Sequence, residues 1–133
     1  MKHISFLVLF LAVNLLGHSQ NADMDSCSIP PQHSATIEGI EKKGMLSVED
    51  LAKVNKIIAD EKDITILRFT YSIDCDGCDM YVQDVYADRL PEEELKMIKA
   101  MKPMQVLSFE CIVGKNKKGE LVTCKPFLYY IKP

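Results

Sequence analysis

Past residue 63 the chain alternates. Over residues 64–73, Leu67, Phe69, Tyr71 and Ile73 fall on one side of a period-two pattern and Arg68, Thr70 and Ser72 on the other, which predicts a half-buried strand. Residues 105–113 repeat the pattern with Leu107, Phe109, Cys111 and Val113 on one side. The run from Lys115 to Gly119 reads as a hairpin turn, and residues 121–131 return as a strand, which Pro126 makes an edge or a bulged one. Residues 80–86 are a weaker strand candidate, and Thr36-Ile37 a short one within residues 34–40. Two segments change to helical spacing. Leu51, Val54, Ile57 and Ile58 predict a helix over residues 48–60, opened by Ser47 with Asp50 three residues on in a capping-box-like arrangement. Pro91 opens the second, with Glu92, Glu93 and Glu94 at its positive end and Leu95, Ile98 and Met101 on one face, and Pro103 stops it. Gly39 and Gly44 mark turns. The expected fold is mainly β (α+β), a small antiparallel β-sandwich-like domain with two short helices.

The first residues alter the domain count. Lys2 and His3 precede an apolar run over residues 4–16, with Gly17 and Ser19 suiting a cleavage site after Ser19. This is the pattern of a secretory signal peptide, residues 1–19. At about 13 residues the run falls short of the roughly 20 that a spanning helix needs, so no stable membrane span is expected after cleavage. Residues 20–34 are polar, contain Pro30-Pro31 and read as a flexible arm. Residues 35–133 form the domain. Removing residues 1–19 takes away one lysine and leaves 15 basic against 19 acidic side chains, a net charge of −4. No basic stripe interleaved with aromatics occurs, which argues against nucleic acid. The expected location is exported: the periplasm or cell envelope, or the medium.

All five cysteines, Cys27, Cys75, Cys78, Cys111 and Cys124, follow the leader, and an exported chain can keep disulfides. If the turn is centred between Lys117 and Lys118, residues whose numbers sum to 235 stand opposite each other, and Cys111 faces Cys124. Such a bridge would close a loop of about 14 residues and contribute roughly 3 kcal/mol in the loop-entropy description; two buried thiols are the alternative. Asp74-Cys75-Asp76-Gly77-Cys78-Asp79 admits three readings. A redox enzyme would use Cys75 as nucleophile and Cys78 as resolving thiol, but the three aspartates raise a thiol pKa where catalysis needs it lowered. A structural disulfide or paired thiols fits better. A zinc site from Cys75, Cys78, Cys111 and Cys124 lacks tight spacing in its second pair, and a calcium loop from Asp74 would need a glutamate where Val85 stands. With His33 the one histidine outside the leader, no Ser-His-Asp or Cys-His arrangement is available. No catalytic residue, metal or cofactor is expected. Glu92-Glu93-Glu94 reads as a solvated helix start.

The order of segments matters more than any one of them. Residues 66–72 (Ile-Leu-Arg-Phe-Thr-Tyr-Ser), 90–98 from Leu90-Pro91 to Ile98, 106–113 from Val106 to Val113, and Lys118-Gly119-Glu120-Leu121-Val122 together resemble the C-terminal domain of the gliding-motility-associated GldM family, with residues 44–51 similar to its lead-in. The resemblance covers about residues 36–132. It implies a non-catalytic exported interaction or structural module of Bacteroidetes-type envelope machinery, the type IX secretion and gliding apparatus, with other envelope proteins as partners. It transfers no functional residue. The alternative is a periplasmic thiol-disulfide oxidoreductase using Cys75 and Cys78.

Overall fold

The computed structural model describes residues 26–40 and 44–133; the expected signal peptide and the start of the arm lie outside them. The elements are β1 (Ala35–Ile37), β2 (Gly44–Leu46), β3 (Ile57–Ala59), β4 (Thr65–Asp74), β5 (Tyr81–Val85), α1 (Glu92–Lys99), β6 (Val106–Lys115), β7 (Leu121–Cys124) and β8 (Phe127–Ile131). Single 3-10 turns occupy Ser26–Ser28 and Asp50–Lys53. A six-stranded sheet runs in the order β2-β8-β6-β4-β5, with β7 pairing the far half of β6. All its pairings are antiparallel except that of β2 with β8. β1 and β3 form a separate antiparallel ribbon. The fold is thus mainly β, a small α+β domain rich in antiparallel pairs.

One face of the large sheet carries the core. Phe69, Tyr71, Leu107, Phe109, Ile112 and Ile131 pack there against Ile37, Leu51, Ile57 and Ile98 from the ribbon, the 3-10 turn and α1. Aromatic rings continue across the strands: Phe69 and Phe109 lie 5.9 Å apart between centroids, and Phe109 and Phe127 stack at 5.0 Å. Pairs of this kind add to plain burial.

The alternation breaks twice, both times for one reason. The β4–β6 register shifts between Ile66 and Arg68 and again between Arg68 and Thr70, and Cys111 sits at φ 48°. An extra residue in a strand turns the residues after it to the other face. On β4, Ile66 is buried and Leu67 is 40% exposed, although the period-two pattern put Leu67 in the core. On β6, Leu107 and Phe109 are succeeded in the core by Ile112 rather than Cys111.

The first predicted helix is the main departure. Ser47 and Asp50 do exchange the expected bonds, Ser47 N–H to Asp50 Oδ2 and Asp50 N–H to Ser47 Oγ, each at 3.1 Å. The carboxyl of Asp50 is thereby held below its usual range, by the Ser47 backbone bond first and its hydroxyl second. Only one 3-10 turn comes next, and residues 57–59 are strand. The segment ending in Ile57-Ile58 is β-branched, and β1 offers it a partner in register, Ile37 opposite Ile57. The Ile57 N–H also finds the Asp88 carbonyl at 2.8 Å. Leu51, Val54 and Ile57 are buried as their spacing foretold, but not on a helix.

The described part of the expected flexible arm is tied down. His33 bridges to Cys124 beside β7, Lys125 N–H donates to the His33 carbonyl at 2.8 Å, and Thr123 Oγ1 donates to the Ile29 carbonyl at 2.8 Å.

Candidate functional site

The β4–β5 hairpin gathers the residues with chemical potential. At its tip Cys75 and Cys78 are bonded to each other, with Cα atoms 5.5 Å apart. The Cys78 N–H meets the Cys75 carbonyl at 3.4 Å, and Gly77 has φ 77°. This is a turn whose third residue needs left-handed backbone, which glycine takes without a Cβ penalty. No helix begins here: β5 comes next. The tip therefore lacks the N–H dipoles that stabilise a thiolate in a redox motif, and Asp74, Asp76 and Asp79 surround it.

Behind the tip, on the core side, Tyr71 and Tyr81 both donate to Glu94 of α1. The Tyr71 hydroxyl reaches Oε2, and that of Tyr81 lies 3.1 Å from Oε2 and 3.3 Å from Oε1. Burial, then the Glu94 carboxylate, push both phenols above their ordinary pKa, so both stay protonated as donors. With Tyr71 fully buried and its donor spent, the cluster acts as a clamp between helix and sheet. On the opposite face Thr70 Oγ1 donates to Asp84 Oδ1 at 2.5 Å, Arg68 pairs with Asp84 at 3.8 Å, and its guanidinium lies 5.1 Å from the centre of the Tyr86 ring.

The other cysteines lie around the middle of β6. Cys111 is bonded to Cys27, Cα atoms 5.2 Å apart, and Cys124 is a free, buried thiol. The expected Cys111–Cys124 pairing is corrected by the hairpin register: Ile112, not Cys111, stands opposite Cys124. The cause is the loop length. Asn116 N–H bonds to the Glu120 carbonyl and Gly119 N–H to the Asn116 carbonyl, each at 3.0 Å, so three residues, ending in Gly119 at φ 81°, form the loop. Such a loop makes facing numbers sum to 236 instead of 235. Asp74 pairs with Val106, so the tip cysteines lie roughly 17 Å of strand from Cys111. The four cysteines of the candidate zinc set are not brought together.

A depression of about 660 Å³ is lined by Thr36, Ile37, Gly39, Ile40, Asp50, Lys53 and Ile58. Its two charged groups, Asp50 and Lys53, pair with each other at 3.5 Å. Reading residues 92–94 as solvated missed the Glu94 role, which depends on where α1 lies over Tyr71 of β4 and Tyr81 of β5. The sequence left the role of Cys27 open, and the structure gives it Cys111 as partner.

Fold and site define a small, disulfide-stapled α+β domain, and two disulfides suit an oxidising, exported setting. Among the described residues no helix is long and apolar enough to cross a membrane. No protein-family model and no curated protein matches the chain.

Proposed function

We propose that this chain is a non-catalytic interaction or structural module of the periplasm or cell envelope, of the kind implied by its resemblance to the GldM C-terminal domain, with other envelope proteins as partners. One observation carries the reading: the bonded Cys75–Cys78 pair sits in a glycine turn between two strands, ringed by aspartates, and not at a helix start. A bond placed so braces a hairpin, and its thiols when reduced are poor nucleophiles at neutral pH. The cluster of buried Tyr71 with half-buried Tyr81 and Glu94 is likewise spent on holding α1 to the sheet.

The oxidoreductase reading has one observation in its favour, the exposure of Cys78. In that reading a substrate dithiol attacks the Cys75–Cys78 bond, leaves as a disulfide, and the pair is left as two thiols. The mature protein should show no turnover of a reduced test protein in glutathione buffer, and a Cys75 thiol that titrates at or above the ordinary cysteine range. A Cys75 pKa well below 7 together with turnover overturns the proposal.

A further inference from the structure

The two edges of the large sheet are built differently. β2 is three residues long and starts at Gly44 in left-handed backbone, and so short an edge offers little to a foreign strand. β5 is five residues long, hydrogen-bonded to β4 alone, and free of proline, lysine and glycine. Among the described residues, no backbone hydrogen bond from another segment reaches it. The Asp84 carbonyl is met instead by the side-chain amide of Gln83, its own neighbour, at 3.2 Å. Val82, its second residue, is 52% exposed, and Tyr86 just beyond its end is 72% exposed.

Charge around this edge is lopsided. From Arg68 to Glu94 the sequence holds eight carboxylates against two arginines, a balance of −6 in a chain whose total is −3. Both arginines are occupied, Arg68 by Asp84 and Arg89 by Asp88 at 3.9 Å. No ion pair among the described residues engages Asp74, Asp76, Asp79, Glu92 or Glu93. The three aspartates lie in and beside the turn that leads into β5, and the charge of Glu93 acts on Tyr81 at its first residue.

We propose that β5 is a docking edge for an extended segment of another protein in which apolar residues alternate with lysines or arginines; this rests on reading the chain as an interaction module. Strand addition draws affinity from backbone hydrogen bonds and selectivity from alternate side chains. Here one set of side chains meets Val82 and Tyr86, and the basic set meets the carboxylates, which also speed encounter. A second copy is a poor occupant, because β5 beside β5 would bring two acidic hairpins together, and like charges across strands repel.

The test uses a seven-residue peptide of alternating lysine and valine, titrated into the mature protein with NMR detection. Amide shifts should move at residues 81–85 and at the hairpin tip. Of two peptides backbone-methylated at either the lysines or the valines, at least one should bind roughly tenfold more weakly. Val82→Lys should weaken binding by about fivefold or more. A double change, Asp76→Asn with Asp79→Asn, should weaken it about threefold at low salt and leave no difference at high salt. Binding of both methylated peptides as tight as that of the unmethylated one, shifts confined to other segments, no binding, or self-association through β5 without peptide each overturns the proposal. Disulfide turnover overturns the interaction-module reading instead, so the two failures are told apart.

Discussion

Tyr71 has no exposed surface, yet its hydroxyl reaches the Glu94 carboxylate, and this one contact ties β4 to α1. A hydrogen bond to a charged acceptor is worth roughly 1.5–3 kcal/mol, and Tyr71→Phe keeps the ring while removing the donor. Urea unfolding should show a loss of that order for Tyr71→Phe, and the cycle with Glu94→Gln should show coupling of about 1 kcal/mol or more. Absence of coupling would remove the clamp. Cys124 offers a second check through pH. Burial, and then the charge of Asp60, push its thiol from 9.0 up to about 11. The folded state therefore holds this proton more tightly than the unfolded chain does. The stabilisation is complete below pH 9 and is lost as pH rises towards 11, by on the order of 1 to 2 kcal/mol. Stability measured between pH 8.5 and 10.5 should fall less steeply for Cys124→Ala than for the natural protein. Of these residues the sequence pattern placed Tyr71 in the core, but nothing local distinguishes Glu94 from Glu92 and Glu93; which one turns inward depends on where α1 lies over β4 and β5.

Most of the strands were legible from alternation, because one face of each is buried and the other is not. Alternation counts positions, however, and an added residue is invisible to it. The left-handed Cys111 and the shift near Leu67 each reverse the faces, so Ile112 and Ile66 hold core places that the pattern gave to Cys111 and Leu67. The β6–β7 hairpin shows the same weakness in its loop. Gly119 at φ 81° sets a three-residue loop and with it the register of every pair up to Phe109 and Phe127. Gly119→Val should cost about 1 to 2 kcal/mol in thermal or urea unfolding, since a β-branched residue resists left-handed backbone; an unchanged midpoint would mean the loop has another form. Pro126 was a sound signal: it falls in the two-residue break between β7 and β8, where no N–H is needed. The helix expected over residues 48–60 failed because apolar spacing records which residues are buried and leaves the backbone open.

In the whole molecule, the Cys27–Cys111 bond ties the described N-terminal end to the middle of the sheet across 84 residues of sequence. A loop that long contributes roughly 4 to 5 kcal/mol in the chain-entropy description, and removing a native bridge from a small domain typically costs about 2 to 5 kcal/mol. Cys27→Ser should therefore lower stability by several kcal/mol, far more than Cys78→Ser at the hairpin tip, whose loop is short. Thiol titration should find about one reactive group in the denatured, unreduced protein and none in the native one, since Cys124 is buried; peptide mapping should then recover Cys27 with Cys111 and Cys75 with Cys78. Composition and local pattern were enough for the mainly β class, the closing hairpin, the helix after Pro91 and the presence of bridges, because each rests on burial or backbone preference within a few residues. Which cysteines meet, which glutamate turns inward, that residues 57–59 join β1, and that β5 is left as an open edge all depend on contacts between distant segments. Those contacts are fixed by register and by bulges, where a single residue decides the face, and no short stretch of sequence carries that count.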